Sequence, residues 1–125
     1  MKQAITTSSA PNPGGPYSQG VIANGFLYTA GFGPADPVTG AKPEGIAEQT
    51  RQVLRNIGAV LAEAGLDFTD VVKVTTHLQT LKEDFASYNE AFKEFVPEPY
   101  PVRTTVGSQL ADILVEIDVV AALRI

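Results

Sequence analysis

Two charged residues lie inside apolar, strand-like runs near the C-terminus, and they are the residues best suited to chemistry. Arg103 has β-branched neighbours in the run 101–107, and Glu116 lies in the apolar run 113–121. A guanidinium in such a strand can present a planar, two-pronged set of donors to a carboxylate. A carboxylate in apolar surroundings can act as a general base toward water. Together these residue types suit the binding of a small anion beside a water molecule.

Each of these residues also has a purely structural interpretation. Arg103 can lie on a solvated face or in a surface ion pair, and a buried acid such as Glu116 can be its only partner. Glu116 can equally be a solvated or paired strand acid. Glu116 and Asp118 project to one face, but no histidine or further acid lies at ligand spacing. Because hard cations prefer more oxygen donors, no metal site is predicted.

Motifs for other kinds of chemistry are absent. The chain has no cysteine, which excludes a thiol nucleophile, a disulfide scaffold and a thiolate metal site. His77 is the only histidine, and a lone strand histidine is more often a packed or surface residue than a catalyst. No GxSxG or GxxxxGK[ST] motif is present, and Gly31-Phe32-Gly33 lacks a third glycine at dinucleotide-binding spacing.

The two runs that carry Arg103 and Glu116 are predicted to be strands, since β-branched residues dominate them and turn-favouring residues separate them. We expect them to pair as neighbours. Alternation in the second run predicts a core face and an opposite face of mixed character. The predicted core face contains Ile113, Val115, Ile117, Val119, Ala121 and Leu123, and the opposite face contains Leu114, Glu116, Asp118, Val120, Ala122 and Arg124.

The rest of the chain supplies the elements that position these strands. Residues 8–20, rich in proline and glycine, are predicted to form a surface loop, and Asn24-Gly25 predicts a type I′ hairpin between 21–23 and 26–30. Helical spacing and composition predict a helix over 44–64 ended by Gly65, a strand over 71–79, and a helix over about 83–96 with Phe85, Tyr88, Phe92 and Phe95 on one stripe.

The predicted order, ββαβαββ, is that of an α+β sandwich with two helices on one face of a sheet of about six strands. The opposite sheet face would then carry apolar residues such as Leu114 and Val120 without a cover. Since an exposed apolar patch is unusual in a monomer, we expect a homo-oligomer that buries this face.

Length and charge limit the classes of function. The 125 residues predict a single domain, 1–125, with one core. The net charge is −5 and no cluster of Lys and Arg could follow a phosphate backbone, so no nucleic-acid partner is predicted. No run is long enough to span a membrane, and none is a signal peptide. The absence of cysteine favours a reducing compartment, and we expect a cytoplasmic protein.

Several segments in chain order resemble the RidA/YjgF family of enamine/imine deaminases over essentially the whole sequence. They are Gly15–Gln19, Ala30-Gly31, Asp36–Gly40, Glu48–Asn56, Asp70–Lys73, Phe85–Asn89, Pro101–Val106 and Val115–Ile117. The resemblance implies a chorismate-mutase-like α+β fold assembled as a homotrimer, with sites at subunit interfaces. It also implies hydrolysis of 2-aminoacrylate-type enamines and 2-imino acids, released by pyridoxal-phosphate enzymes, to 2-keto acids and ammonia, without a cofactor.

The same resemblance assigns residues. Arg103 matches the arginine that binds the substrate carboxylate, and Glu116 matches the glutamate that positions or activates water. Pocket positions are matched by Tyr17, Gly31, Asn89 and Thr105. We therefore expect the Arg103 and Glu116 side chains to converge in one crevice at a subunit boundary.

The sequence departs from the family pattern at three places. Phe32 stands where Gln is common and Ala30 where Ser is frequent, and the connection from Arg103 to Glu116 is about two residues shorter. A second interpretation is a non-catalytic, carboxylate-binding or chaperone-like trimer. RNA cleavage has been attributed to some relatives, but the acidic charge balance argues against it here.

Overall fold

A computed structural model describes all residues, 1–125, of the protein. Six strands, two α-helices and one 3₁₀ turn make up the chain. In order they are β1 (Gln3–Ile5), β2 (Gly20–Ala23), β3 (Phe26–Thr29), α1 (Ile46–Glu63), the 3₁₀ turn (Phe68–Asp70), β4 (Val71–Leu78), α2 (Leu81–Lys93), β5 (Val102–Gly107) and β6 (Val115–Ala122). The predicted α+β class is confirmed. The sixth strand is β1, which the predicted order did not locate.

The turns that the sequence predicts at Asn24-Gly25 and at Gly65 are present in the structure. Asn24 and Gly25 both have positive φ, 52° and 85°, as a type I′ turn between β2 and β3 requires. Gly65 has φ 75° just beyond α1, and the amide of Leu66 donates to the carbonyl of Leu61. Such a left-handed residue satisfies the last carbonyls of a helix, so the predicted helix end is confirmed.

The sheet order is β1-β2-β3-β6-β4-β5, and it corrects one expectation. β5 and β6 are not neighbours, because β4 lies between them, parallel to β5 and antiparallel to β6. The unit β4-α2-β5 explains this order. A helical crossover returns the chain in the same direction, so the strand after α2 adds beside β4 as a parallel edge strand.

Both helices cover one face of the sheet. The predicted alternation along β6 is confirmed, with Val115, Ile117, Val119 and Ala121 buried against the helices. The buried apolar stripe of α1 meets them, so that a single core lies between the two layers. No helix is long and apolar enough to cross a membrane.

The other face, which we call the open face, has no helix over it. The strand registers align Tyr28, Val120 and Val102 across β3, β6, β4 and β5. Tyr28 and Val102 are 44% and 67% exposed, and Phe26 and Val106 add to the same apolar surface. The predicted mixed character of this uncovered face is confirmed, since Lys73 of β4 lies between Val120 and Val102 in that row.

Candidate active site

Arg103 lies on β5 at the edge of the sheet, and its side chain points to the helix-covered face. The register places it beside Val74 of β4, a buried core residue. Its guanidinium carbon, Cζ, lies 4.9 Å from the ring centroid of Phe92, 5.4 Å from that of Tyr88 and 5.8 Å from that of Phe85. All three rings belong to the predicted aromatic stripe of α2. The stripe therefore serves as a platform beneath a cation.

No acid neutralises this cation. The ion pairs of the chain involve Arg51, Lys93 and Arg124, and none involves Arg103, which also donates no hydrogen bond within the chain. The interpretation of Arg103 as a surface ion pair is therefore wrong. An aromatic face attracts a cation by about 0.5–2 kcal/mol without using its N–H donors. The guanidinium consequently keeps its donors available for an anion.

A pocket of about 380 Å³ opens beside the guanidinium. Its lining is Asn89, Phe92, Lys93, Tyr100, Pro101 and Arg103. Two lining residues are cationic and none is acidic, which favours a small anionic ligand. Asn89, one of the residues that the family resemblance assigns to the pocket, is thus brought together with Arg103.

Thr105 lies two residues further along β5 and faces the same side as Arg103. Its hydroxyl oxygen is buried and has no hydrogen-bond partner in the chain. Buried hydroxyls are almost always hydrogen-bonded, because an unpaired one costs about 1–3 kcal/mol. The chain's own atoms enclose this unpaired hydroxyl beside Thr76 of β4, and Thr105 does not line the pocket.

Glu116 forms a second group with Gly31 on the open face. A Cβ atom added to Gly31 would lie 2.9 Å from Oε2 of Glu116 and 3.0 Å from its Cδ. The carboxylate therefore lies directly over the Gly31 backbone, where any larger residue would displace it. His77 is the register partner of Glu116 on β4, but its Nδ1 lies 2.6 Å from the hydroxyl oxygen of Ser108.

Arg103 and Glu116 do not converge within one chain, so their expected meeting in a crevice at a subunit boundary stays a prediction. Through β4, Arg103 aligns with Val74 and Val119 on the helix-covered face, whereas Glu116 aligns with His77 on the open face. Since successive side chains on a strand alternate between faces, the two side chains lie on opposite sides of the sheet. Glu116 is accordingly not the partner of Arg103 either.

Tyr17 lies on the loop that adjoins the Gly31 segment, where the amide of Ala30 donates to the carbonyl of Gln19. It is 54% exposed in the loop between β1 and β2, and its hydroxyl accepts a hydrogen bond from the amide of Gly14 at 3.1 Å. The loop is held by the buried side chain of Gln19, whose amide nitrogen donates to the carbonyls of Thr7, Ala10 and Pro11. The predicted irregular loop is confirmed. Tyr17 is on it as an accessible side chain.

A buried polar residue of α1 holds the segment that follows Gly31. Asn56 of α1 is 1% exposed, and its Nδ2 donates to the carbonyls of Gly33 and Ala35, both at 3.0 Å. Phe32, between the two glycines, is buried and exchanges two backbone hydrogen bonds with Ile117. Phe32 therefore packs in the core and does not enter the surface around Glu116.

Charge on the open face is partly desolvated. Burial raises the pKa of the Asp118 carboxyl above its ordinary value, while the charges of His77 and Lys73 act in the opposite direction. No three His, Asp or Glu side chains come together as a cation-binding group. Glu116 and Asp118 share a face, as the alternation predicted, without further acids around them.

The comparisons with known proteins agree with this fold. Residues 7–123 match the sequence model of the family described as Endoribonuclease L-PSP. A RutC family protein of Pyrococcus horikoshii is 48% identical over 97% of this chain and 98% of its own length. The chain belongs to the RidA/YjgF family. The crystal structure of RidA from the Antarctic bacterium Psychrobacter sp. PAMC 21119 superposes with a TM-score of 0.92 at 37% identity, covering 97% of this chain and 99% of that one.

Some relatives in the RidA/YjgF family carry the name of an activity. A Bos taurus protein named 2-iminobutanoate/2-iminopropanoate deaminase is 39% identical over 82% of this chain and 75% of its own length. Deamination of reactive imines is therefore supported for this chain at the level of the family. The motifs predicted this membership, and the comparisons confirm it.

Proposed function

We propose that the protein is a hydrolytic deaminase of reactive enamine and imine intermediates. Its substrates would be 2-aminoacrylate, 2-iminopropanoate and similar 2-imino acids, and its products the 2-keto acid and ammonia. The observation that carries this proposal is Arg103, a half-buried guanidinium over three aromatic rings with no acid beside it. Such a group binds a small carboxylate through two charge-assisted hydrogen bonds, worth roughly 1.5–3 kcal/mol each.

Binding would orient the substrate. With its carboxylate on Arg103, a three- or four-carbon imino acid would occupy the pocket that Asn89 lines, and Thr105, whose hydroxyl has no partner in the chain, lies on the same side of β5. Gly31 can offer its backbone and Tyr17 its accessible ring at the Glu116 side of the site. Orientation of the reacting carbon against a held water is itself a large part of a rate enhancement.

Glu116 would act as the general base for the attacking water molecule. As the water oxygen bonds to C2 of the protonated imine, the carboxylate takes one proton from the water and the C=N electron pair moves to nitrogen, which gives a neutral carbinolamine. Glu116 returns that proton to the amine, the C–N bond breaks with its electron pair leaving on ammonia, and the hydroxyl proton on C2 passes to the carboxylate as the keto group forms. Ammonia takes up this last proton and leaves as ammonium. General-base assistance of this kind contributes about 10²–10⁴ in rate. An imine carbon is already electrophilic, so this chemistry needs no cofactor.

The proposal requires a second copy of the chain. Arg103 and Glu116 lie on opposite faces of one sheet, so a single small molecule can reach both only where the edge strand β5 of one subunit meets the open face of another. The exposed apolar side chains of that face favour burial against a partner. We propose the homotrimer that the family resemblance implies, with one shared site at each subunit boundary.

An assay of keto-acid formation tests the proposal. The imino acid is generated in place by an amino-acid oxidase or a pyridoxal-phosphate lyase, and semicarbazide traps what escapes hydrolysis. We expect wild-type protein to accelerate keto-acid formation, and Arg103→Ala to abolish the acceleration while the oligomer survives. Lack of acceleration with every small imino acid would overturn the proposed activity.

The variant Glu116→Gln distinguishes a deaminase from a non-catalytic binding protein. In a deaminase, Glu116→Gln lowers kcat at least about a hundredfold, because the amide cannot take a proton. A non-catalytic carboxylate-binding or chaperone-like assembly would keep its function in that variant. Pyruvate binding by calorimetry provides the control, since Glu116→Gln should bind the product carboxylate as well as wild type does.

A further inference from the structure

Tyr88 occupies the centre of the aromatic platform beneath Arg103. Its ring centroid lies 6.1 Å from that of Phe85 and 5.7 Å from that of Phe92, and the side chain has no exposed surface. Phe85, by contrast, is 39% exposed at the outer end of the stripe. Tyr88 is therefore the fully enclosed ring of the three that contact the guanidinium.

The hydroxyl of Tyr88 ties this ring to the sheet. It lies 2.7 Å from the hydroxyl oxygen of Thr76, and both groups are buried. Thr76 is on the central strand β4, directly beside Thr105 of β5 in the strand register. A buried hydrogen bond between two hydroxyls, with no water to replace it, holds the ring at one angle and α2 at one height over the sheet.

Arg103 needs this support because its own strand supplies few contacts that hold the guanidinium in place. β5 is an edge strand with only β4 beside it, and the guanidinium makes no hydrogen bond or ion pair in the chain. Its long side chain loses rotamer freedom when it binds a ligand, and this loss weakens binding unless the side chain is already held. The rings of α2 are the groups that contact it.

We propose that Tyr88, anchored by Thr76, is a positioning residue for Arg103: it holds the guanidinium in the orientation that receives the substrate carboxylate. This inference rests on the proposed function, since it gives Arg103 a carboxylate to bind. It assigns no contact with substrate to Tyr88 itself, which is enclosed behind the guanidinium.

Kinetics and product binding of three variants test the inference. Tyr88→Phe and Thr76→Val each remove one partner of the hydrogen bond, and Tyr88→Leu removes the π face. We expect KM for the imino acid and Kd for pyruvate to rise about three- to tenfold in each, and most in Tyr88→Leu, with kcat within about twofold of wild type. If the orientation of Arg103 contributes equally to binding of the substrate and of the transition state, its loss raises KM and does not change kcat.

Thr50→Val is the matched control for lost stability. Thr50 is a fully buried threonine on α1 whose hydroxyl donates to the carbonyl of Ile46 at 2.8 Å, whereas the rings around Arg103 belong to α2. We expect it to lower Tm about as much as Thr76→Val does while KM and Kd stay at wild-type values. If the Tyr88 and Thr76 variants behave like this control, their role is structural only and the inference is overturned.

An observation independent of turnover completes the test. The Arg103 Nε–H resonance in NMR spectra should be sharp and shifted by the ring currents in wild type and Thr50→Val, and averaged in Tyr88→Leu. An unchanged resonance would overturn the positioning role even in a protein without activity. If the wild-type protein neither binds pyruvate nor turns over imino acids, the proposed function is overturned. If the wild-type protein binds pyruvate and Tyr88→Leu has the same Kd and KM, only this inference is overturned.

Discussion

At the scale of single residues, the partner of a cation decides what the cation can do. An acid beside Arg103 would compete with a substrate carboxylate, because one guanidinium edge cannot hold two anions at full strength. Aromatic rings at 4.9–5.8 Å instead hold the charge through their faces and leave the N–H donors unused. The α2 stripe thus stabilises the cation in a binding-ready state.

Gly31 provides a prediction at this scale. Gly31→Ala places a methyl group 2.9 Å from Oε2 of Glu116, so the flexible carboxylate must move while the backbone need not. We expect kcat for imino-acid hydrolysis to fall at least about tenfold because the base is displaced, with a change in unfolding free energy within about 0.5 kcal/mol. Steady-state kinetics and thermal unfolding measure the two.

Gly14→Ala is the matched control for that change, since nothing lies within 4 Å of a Cβ atom at Gly14. It should leave both kcat and Tm unaltered. Wild-type kcat in Gly31→Ala would show that the position of the Glu116 carboxylate does not limit the reaction.

At the scale of elements, the sequence predicted local structure better than strand order. Asn24-Gly25 and Gly65 specified their turns through the φ values that they favour, and β6 alternated as expected. The placement of β4 between β5 and β6 was missed, because it depends on the crossover through α2 and not on either strand. The relative facing of Arg103 and Glu116 depends on the registers of β5 and β6 with β4, which neither strand specifies by itself.

Buried polar residues were the second class that periodicity missed, although the signals were present. Thr76 lies between Val74 and Leu78 at strand spacing, which places it on the buried face. Asn56 lies three residues after Val53 and four before Val60, inside the apolar stripe of α1. Neither signal identifies the partner, because Tyr88 and the Gly33 carbonyl come from distant parts of the chain.

The 3₁₀ turn before β4 carries a pH-dependent prediction. Hydrogen bonds from Arg124, the main cause, lower the pKa of Asp70 below its ordinary 3.8. A lowered folded-state pKa contributes stability above the unfolded pKa that is lost as pH falls through the folded one. We therefore expect Arg124→Gln to lower Tm slightly at pH 7, and this difference to shrink as the pH falls below 3.8 through the lowered pKa of Asp70.

Lys82→Gln controls for the removal of one positive charge in that experiment, because Lys82 is exposed and forms no ion pair. Its Tm should match wild type across the pH range. A difference between Arg124→Gln and wild type that stays the same size as the pH falls below 3.8 would mean that packing, and not the ionised pair, causes the loss.

At the scale of the whole molecule, the same sheet presents two incomplete halves of a site. The edge beside α2 offers a cation, a hydroxyl and a pocket, and the open face offers a carboxylate over a glycine. The exposed apolar side chains that surround the second half cannot be covered by the chain's own helices. A cyclic assembly in which each edge meets the next open face would complete every site at once.

Mixed assemblies test this arrangement directly. Arg103→Ala and Glu116→Ala subunits, each inactive alone, are unfolded together and refolded at equal ratio. If every site takes Arg103 from one subunit and Glu116 from the next, about a quarter of the sites in random mixtures carry both residues, so about a quarter of wild-type activity returns. If both residues acted from one subunit, no mixture would contain a complete site.

A mixture of Arg103→Ala with the double variant Arg103→Ala/Glu116→Ala controls for refolding itself, because no subunit then carries the arginine. Activity in the first mixture alone requires a shared site, and its absence from refolded, correctly assembled oligomers would exclude one.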